Sequence, residues 1–424
     1  MKVAHVLSHV SEIHAGVPIA TRKLGHALVK LGVDVSFWTT GRPEDARMFD
    51  GTGIHANVFP RKWLQGWRYS PDLARHLARR INEFDVVHIH EAWSYPQLIA
   101  ARLAHRSGVP YVWAPRASLE PWRMRHKGWK KHWYFKCFGT RIMSRARCMH
   151  AVSEAETAGF RALGYRGPCF VVNNGIDVDE FRTLPSAAEA EQLWPALAGR
   201  QVVLFLSRIS PEKGLDQLLP AWREVLDTGA STGALLVLAG PDDRGYRGVV
   251  ERLVHRWGLN SAVFLPGMVS GRKKLALLSR ADVYVLPSYS EGFSNSILES
   301  LAAATPVLIT PGCNFPEVTS AGAGLCVDAV SGALAGGLRH LLGLSPDERL
   351  AMGRRGRQLV HASYTWESAA RELATVYDAI VCGGVVPERP VPIPIDSNGA
   401  ASFHPACQAG PADRPGQGRL TEQG

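Results

Sequence analysis

Short apolar runs alternate with helical stretches along most of this chain, and the alternation restarts once. Runs such as Val3-Ala-His-Val-Leu7 and Val86-Val-His-Ile-His90 are too short for buried helices. Their near-continuous apolar character is that of parallel strands covered on both faces. In the first half the pattern predicts strands over 2–8, 33–39, 85–90, 110–115, 149–153 and 169–173. Helices are predicted between them over 17–31, 70–83, 95–107 and 155–163. A second series follows, with strands over 201–207, 234–239, 263–266, 283–287 and 306–310. Its helices fall near 215–227, 246–257, 271–280, 294–303 and 331–342. Open sheets rarely exceed ~10 strands, so two Rossmann-like α/β halves explain the restart better than one sheet.

The expected domains are therefore 1–175, a linker over 176–200, and 201–363. Residues 346–382 read as two further helices, with Trp366, Ala369, Leu373, Val376 and Tyr377 at helical spacing, and the closing helix spans 364–382. Residues 383–424 hold seven Gly and seven Pro in 42 positions, and we expect a disordered tail there.

Charge narrows the function classes. The chain of 424 residues has a formal net charge of +10. Ten Lys/Arg and the single acid Glu120 lie between Arg116 and Arg147, so that segment carries +9 and the remainder +1. A uniformly basic coat for nucleic acid is excluded, and no nucleic-acid partner is expected. Seven scattered cysteines without a CxxC pair argue against a disulfide framework or zinc site and fit a reducing compartment. The N-terminus reads directly into a strand without a signal peptide, and no stretch approaches the ~18 apolar residues of a membrane span.

Three short motifs carry chemistry. In Pro287-Ser-Tyr-Ser-Glu291-Gly-Phe-Ser-Asn-Ser-Ile-Leu-Glu299 a strand ends, a turn follows, and a helix opens near Ser294. Free N–H groups at a helix N-terminus favour an anion such as a diphosphate. Glu299, five residues in, lies roughly 7–8 Å along the helix axis, where a carboxylate can accept from ribose hydroxyls. Glu291 can do the same for a sugar; alternatively it is a loop charge and Glu299 a locally paired helical acid. In Ser207-Arg208-Ile-Ser-Pro-Glu-Lys213-Gly, Arg208 and Lys213 would bring a planar fork and a point charge to phosphates at a strand C-terminus, or form a solvated turn. In His14-Ala-Gly16-Val-Pro, a glycine before the first helix admits close backbone approach.

Taken together, these motifs resemble glycosyltransferase family 4 (group 1), retaining nucleotide-sugar-dependent transferases of the GT-B fold. The similarity covers roughly 1–380; its most specific element is the glutamate pair Glu291 and Glu299, supported by Arg208…Lys213-Gly, Asn174-Gly-Ile-Asp177 and Tyr364-Thr-Trp. The resemblance implies two Rossmann-like domains facing across a cleft, with the last helix crossing back onto the N-terminal one. It implies that Arg208 and Lys213 neutralise the leaving diphosphate, which the amides around Phe293 and Ser294 also bind. Glu299 would hold the ribose, Glu291 the donor sugar, and Gly16 would let the N-terminal domain close over the phosphates. No cofactor or metal is implied; the donor would be a UDP- or GDP-sugar, attacked on its front face. Many members carry a histidine after the strand at 110–115, where this chain has Ala114-Pro-Arg116-Ala-Ser-Leu. That stretch looks like the Pro-Arg-Gly-Met-Leu of bacterial exopolysaccharide and lipopolysaccharide transferases. Arg116 would then replace the histidine, and it stays charged, so it cannot act as a base. His90 could line the site, or be a hydrogen-bonded structural histidine like His88.

The basic segment interleaves its cations with Trp122, Trp129, Trp133, Tyr134, Phe135 and Phe138. A basic, aromatic-bearing helix reads as a membrane-surface element; the alternative is inward-packed aromatics under a solvated face. The expectation is a hexosyltransferase peripheral to the cytoplasmic face of an anionic membrane, acting on a polyprenyl-diphosphate-linked sugar or polysaccharide. Competing possibilities are another GT-B enzyme, such as an epimerase, and a catalytically silent nucleotide-sugar-binding scaffold.

Overall fold

The computed structural model describes residues 1–10, 16–120, 124, 128–229, 233–395 and 400–403. It divides into two compact units, Met1–Gly175 with Trp366–Gly424, and Ile176–Thr365. The stretch 176–200, expected as a linker, carries the helix Ala187–Leu193 and lies within the second unit.

The first unit is built on seven parallel strands: β1 (Lys2–Val6), β2 (Asp34–Thr40), β3 (His55–Phe59), β4 (Val86–His90), β5 (Tyr111–Ala114), β6 (Cys148–Ala151) and β7 (Cys169–Val171). Their order is β3-β2-β1-β4-β5-β6-β7. Side chains alternate across the sheet, as the period of two requires. Val3, Val35, Phe37, Val86 and Phe170 enter one core with Leu24, Leu28 and the helix Trp366–Val381. Ala4, Val6, Trp38, Val87, Ile89 and Trp113 enter the other, beneath Leu73, Leu77 and Ala101. Trp366, Ala369, Leu373, Val376, Tyr377 and Ile380 recur at helical spacing, so the last long helix completes the N-terminal core.

The second unit has six parallel strands: β8 (Val202–Leu206), β9 (Leu235–Ala239), β10 (Val263–Gly267), β11 (Val283–Leu286), β12 (Val307–Ile309) and β13 (Gly324–Cys326). Their order is β10-β9-β8-β11-β12-β13. The chain changes direction between β1 and β4 in one sheet and between β8 and β11 in the other. Crevices for ligands open at such reversals, beyond the strand C-termini.

Two strands escape the sequence pattern, β3 and β13. Both are edge strands, and β3 is only half buried, so neither needs a continuous apolar run. Within the tail expected to be disordered, residues 383–395 and 400–403 are instead ordered. Val386 and Ile393 are buried in the N-terminal core, Val171 donates to the Glu388 carbonyl (3.0 Å), and Ala401 donates to the Leu31 carbonyl (3.0 Å). The prolines suit this path, since an extended strap needs few backbone donors. The remainder of that tail lies outside the described residues. Among the described residues no helix is long and apolar enough to cross a membrane.

Gly214 fixes the loop after β8. It has φ +68°, and a Cβ there would stand 2.1 Å from the Pro287 carbonyl oxygen at the end of β11. We expect Gly214→Ala to cost more than the ~1–3 kcal/mol of left-handed strain alone. Scanning calorimetry should show the melting temperature lowered by several degrees, at roughly 2–4 °C per kcal/mol for a unit this size; an unchanged melt would contradict the close approach.

Candidate active site

At the reversal between β8 and β11, two loops meet. Lys213 ends the short turn Pro211–Lys213 and is buried, as is Glu291 after β11. The Lys213 ammonium donates to Glu291 Oε1 at 2.5 Å, and the Ser288 hydroxyl donates to the same oxygen at 2.7 Å. Arg208 is partly exposed and forked between Glu212 (3.0 Å) and Asp243 (3.1 Å). The helix Asn295–Ala302 begins at the N-cap Ser294, whose hydroxyl does not cap it but lies 3.1 Å from the Ser296 hydroxyl. Phe293 is buried against Phe315 and Tyr364, with ring centroids 5.0 and 5.7 Å away. Glu299 accepts from Lys274 at 2.7 Å, across from the helix Gly271–Arg280.

Arg208, Lys213, Glu291, Phe293, Ser294 and Glu299 thus all lie in the second unit, around the loops and helix that follow β8 and β11. Sequence reasoning missed the groups that hold them: Glu212, Asp243, Lys274 and Ser288. Three cations face four carboxylates here, so every one of these cations already has an acid partner. The signal for Glu212 was visible, since it stands four residues after Arg208 in one turn. Lys274 and Asp243 come from distant segments that no local spacing connects.

The remaining three candidates belong to the first unit. Gly16 is the exposed first residue of the helix Gly16–Lys30, with open space where a side chain would project. His14 lies outside the described residues. Arg116 is buried just past β5; its Nη1 donates to Asn174 Oδ1 at 2.9 Å, while Nε and Nη2 find no hydrogen-bond partner among the described residues. Burial lowers its pKa to about 10, opposed by Glu156, Tyr377 and Glu91, so it remains charged at neutral pH. Arg116 and Ala117 both take left-handed φ, +55° and +61°. Glu156 pins this strained pair by accepting from the Ala117 N–H (2.6 Å) and the Val152 N–H (2.8 Å). The glycine of the Pro-Arg-Gly-Met-Leu pattern would sit at Ala117 without that strain. At the reversal between β1 and β4, Glu91 Oε2 accepts from the Ser8 N–H (3.2 Å) and the Ser8 hydroxyl, and burial raises its pKa.

His90 has a partner the sequence did not reveal. His5 Nδ1 and His90 Nε2 share a hydrogen bond (2.9 Å), His88 Nδ1 meets the Tyr377 hydroxyl (2.6 Å), and His150 Nδ1 meets His88 Nε2 (3.2 Å). All four imidazoles are buried, on β1, β4 and β6, with β5 lying between the last two. His5, His88 and His90 bring ligand-type atoms within 4.8 Å of one another, a grouping the sequence did not suggest. Hydrogen bonds already engage nitrogens of all three, and the Arg116 charge disfavours a second cation beside them. The structural alternative for His88 thus has a concrete basis, and His90 shares it, its Nδ1 finding no partner among the described residues.

Whole-chain comparison defines the class. Residues 189–359 match the family model of glycosyl transferases group 1, and residues 15–175 match the glycosyl transferase 4-like domain. The chain belongs to this glycosyltransferase family. It is 32% identical over 317 residues to the GDP-mannose-dependent alpha-(1-6)-phosphatidylinositol monomannoside mannosyltransferase of Mycobacterium tuberculosis, covering 72% of this chain and 79% of that protein. It is 25% identical over 248 residues to the putative colanic acid biosynthesis glycosyltransferase WcaL of Escherichia coli, covering 56% of this chain and 58% of that protein. Among solved structures, Anabaena HepE in complex with UDP and glucose superposes with a TM-score of 0.72 at 18% identity, covering 88% and 98% of the two chains. That likeness establishes the two-Rossmann GT-B fold.

Two outcomes follow from the buried groups. Removing either partner of Lys213–Glu291 strands a buried charge, so Lys213→Ala or Glu291→Ala should each cost about 3–5 kcal/mol. The double variant Lys213→Met/Glu291→Leu should cost clearly less than the sum in denaturant melts; additive losses would argue against a direct pair. The histidines give a pH test. Burial holds His5 down to about pKa 3, and His88, His90 and His150 well below the usual value. The unfolded chain takes up protons below pH ~6.5 that the folded network refuses, so stability is intact above that pH and falls beneath it. Each histidine kept neutral costs about 1.4 kcal/mol per pH unit there. Hydrogen exchange in β1, β4 and β6 should accelerate between pH 6.5 and 5 after correction for intrinsic rates. Constant protection would refute the network's neutrality.

Proposed function

We propose that this protein is a retaining, metal-independent hexosyltransferase. It moves a sugar from a nucleotide diphosphate to a lipid-linked or growing polysaccharide acceptor, in exopolysaccharide or lipopolysaccharide synthesis at the cytoplasmic face of the membrane. The observation that carries this is the grouping of Arg208, Lys213 and Glu291 where β8 and β11 diverge. Arg208 and Lys213 stabilise negative charge as it develops on the departing diphosphate. Glu291 exchanges its hold on Lys213 for hydroxyls of the donor sugar, and Glu299 takes the ribose. The acceptor attacks the face from which the diphosphate leaves, and a phosphate oxygen receives the acceptor's proton. No covalent enzyme intermediate is needed.

Arg116 contributes positive charge on the acceptor-binding unit, with two guanidinium nitrogens still able to donate. GDP-mannose is the first donor to try, because the mycobacterial relative is named for it; WcaL supports a polysaccharide product. The exposed Trp129 and Trp133 support membrane contact by the basic segment.

A thermal-shift panel of GDP- and UDP-sugars should raise the melting temperature with the matching donor, as any native-state ligand does. Glu291→Gln removes the charge while keeping a group that can face Lys213, and Arg208→Ala removes the fork. Each should lower turnover by roughly 10²–10³, measured as released nucleoside diphosphate. Full turnover in both would refute the assignment.

A further inference from the structure

Apart from both strand reversals, the first unit holds a cavity of about 160 Å³ between the helices Tyr95–Arg106 and Thr140–Arg145. Arg102 and Arg106 border it from one helix and Arg141 and Arg145 from the other; among the described residues no Asp or Glu lines it. Among the described residues none of these four arginines has an acid partner. A basic residue in the last turn of a helix complements its dipole, which accounts for Arg106 and Arg145 singly. It does not account for four guanidinium groups converging from two helices on one hollow. All four are exposed, so the hollow presents them together to an anion arriving from outside.

The floor of the cavity is apolar, with Ile142 buried and Phe138 at the partly exposed rim. Phe138 belongs to the helical run that carries Trp129 and Trp133, which are 69% and 68% exposed. Tyr134 turns instead toward Trp93 (5.6 Å), and Phe135 is buried. Trp122 lies outside the described residues; the rest of the aromatic set divides, with Trp129 and Trp133 facing solvent. Indole rings suit the boundary between water and hydrocarbon.

We propose that this cavity binds the phosphate headgroup of an anionic phospholipid. The four arginines grip the phosphate, Ile142 and Phe138 receive the glycerol end of the acyl chains, and Trp129 and Trp133 enter the leaflet. Arginine suits the role because its planar fork matches phosphate oxygens. This rests on the membrane contact of the proposed function and names the group that is held there.

The test is flotation of the full chain with phosphatidylcholine vesicles, with and without phosphatidylglycerol. Arg141→Glu/Arg145→Glu should lose more than about tenfold in affinity for the anionic vesicles, as should Arg102→Gln/Arg106→Gln on the facing helix. Lys30→Glu/Arg79→Glu, two exposed cations elsewhere on the same unit, changes net charge as much as the first variant and should stay within about twofold of wild type. Equal losses in the control would overturn the pocket in favour of diffuse attraction. Millimolar inorganic phosphate should release wild-type protein from the anionic vesicles more than sodium chloride of equal ionic strength does; equal release by both would overturn the pocket in favour of diffuse attraction. Wild type indifferent to both vesicles would overturn membrane contact altogether, whereas binding that survives in the pocket variants removes only the pocket. Unchanged melting temperature and nucleoside diphosphate release in the variants would show that fold and sugar transfer are separate from lipid binding.

Discussion

The buried ion pair between Lys213 and Glu291 ties together the two loops on which the candidate site depends. A lone charge at either position would be costly, so neither loop can settle into this arrangement without the other. Gly214, next in the chain, lets the first loop approach the second to within contact of its backbone. The hydroxyl of Ser288 completes the coordination of Glu291. Charge, close packing and hydrogen bonding therefore agree on one geometry, and the helix bearing Ser294 and Glu299 is placed by its continuity with the same loop.

A comparable logic governs the first unit with neutral groups. Histidine side chains on β1, β4 and β6 lie where an α/β sheet is usually all aliphatic, and they hydrogen-bond to one another and to Tyr377. Arg116 stands close enough to bias them all toward neutrality. Glu156 bears the cost of the strained turn at Arg116 and Ala117. The basic segment is not one feature: Arg116 is buried beside this network, Arg141 and Arg145 face the cavity, and Arg147 donates to the Gly384 carbonyl at 2.8 Å. Net charge located the segment without being able to divide it.

Much of the fold was legible because both halves repeat a strong physical pattern. Fully buried strands such as β8 and β9 are continuous apolar runs, and their order in the chain carries the two-unit organisation. β3 and β13 were missed because an edge strand answers to weaker burial. The ordered strap beyond Cys382 was missed because composition cannot show that Val386 and Ile393 find a groove. In the site, Arg208, Lys213, Glu291 and Glu299 were found through local spacing, and the structure gathers them on one unit. Their counterions, and the histidine network, depend on contacts between segments far apart in sequence, where spacing carries no information.

The first unit takes its last core helix from the far end of the chain. During synthesis, Val3, Leu24, Leu28 and Phe37 emerge long before Trp366, Leu373 and Tyr377 exist to cover them. The 190 residues of the second unit (176–365) come between. At ~5–20 residues per second, that interval lasts on the order of 10–40 s. The second unit has all its parts before the first does, so on the ribosome the order of completion is reversed relative to the order of emergence. A nascent chain of this protein carries an open apolar face for the whole of that interval, the period in which a chaperone is most needed.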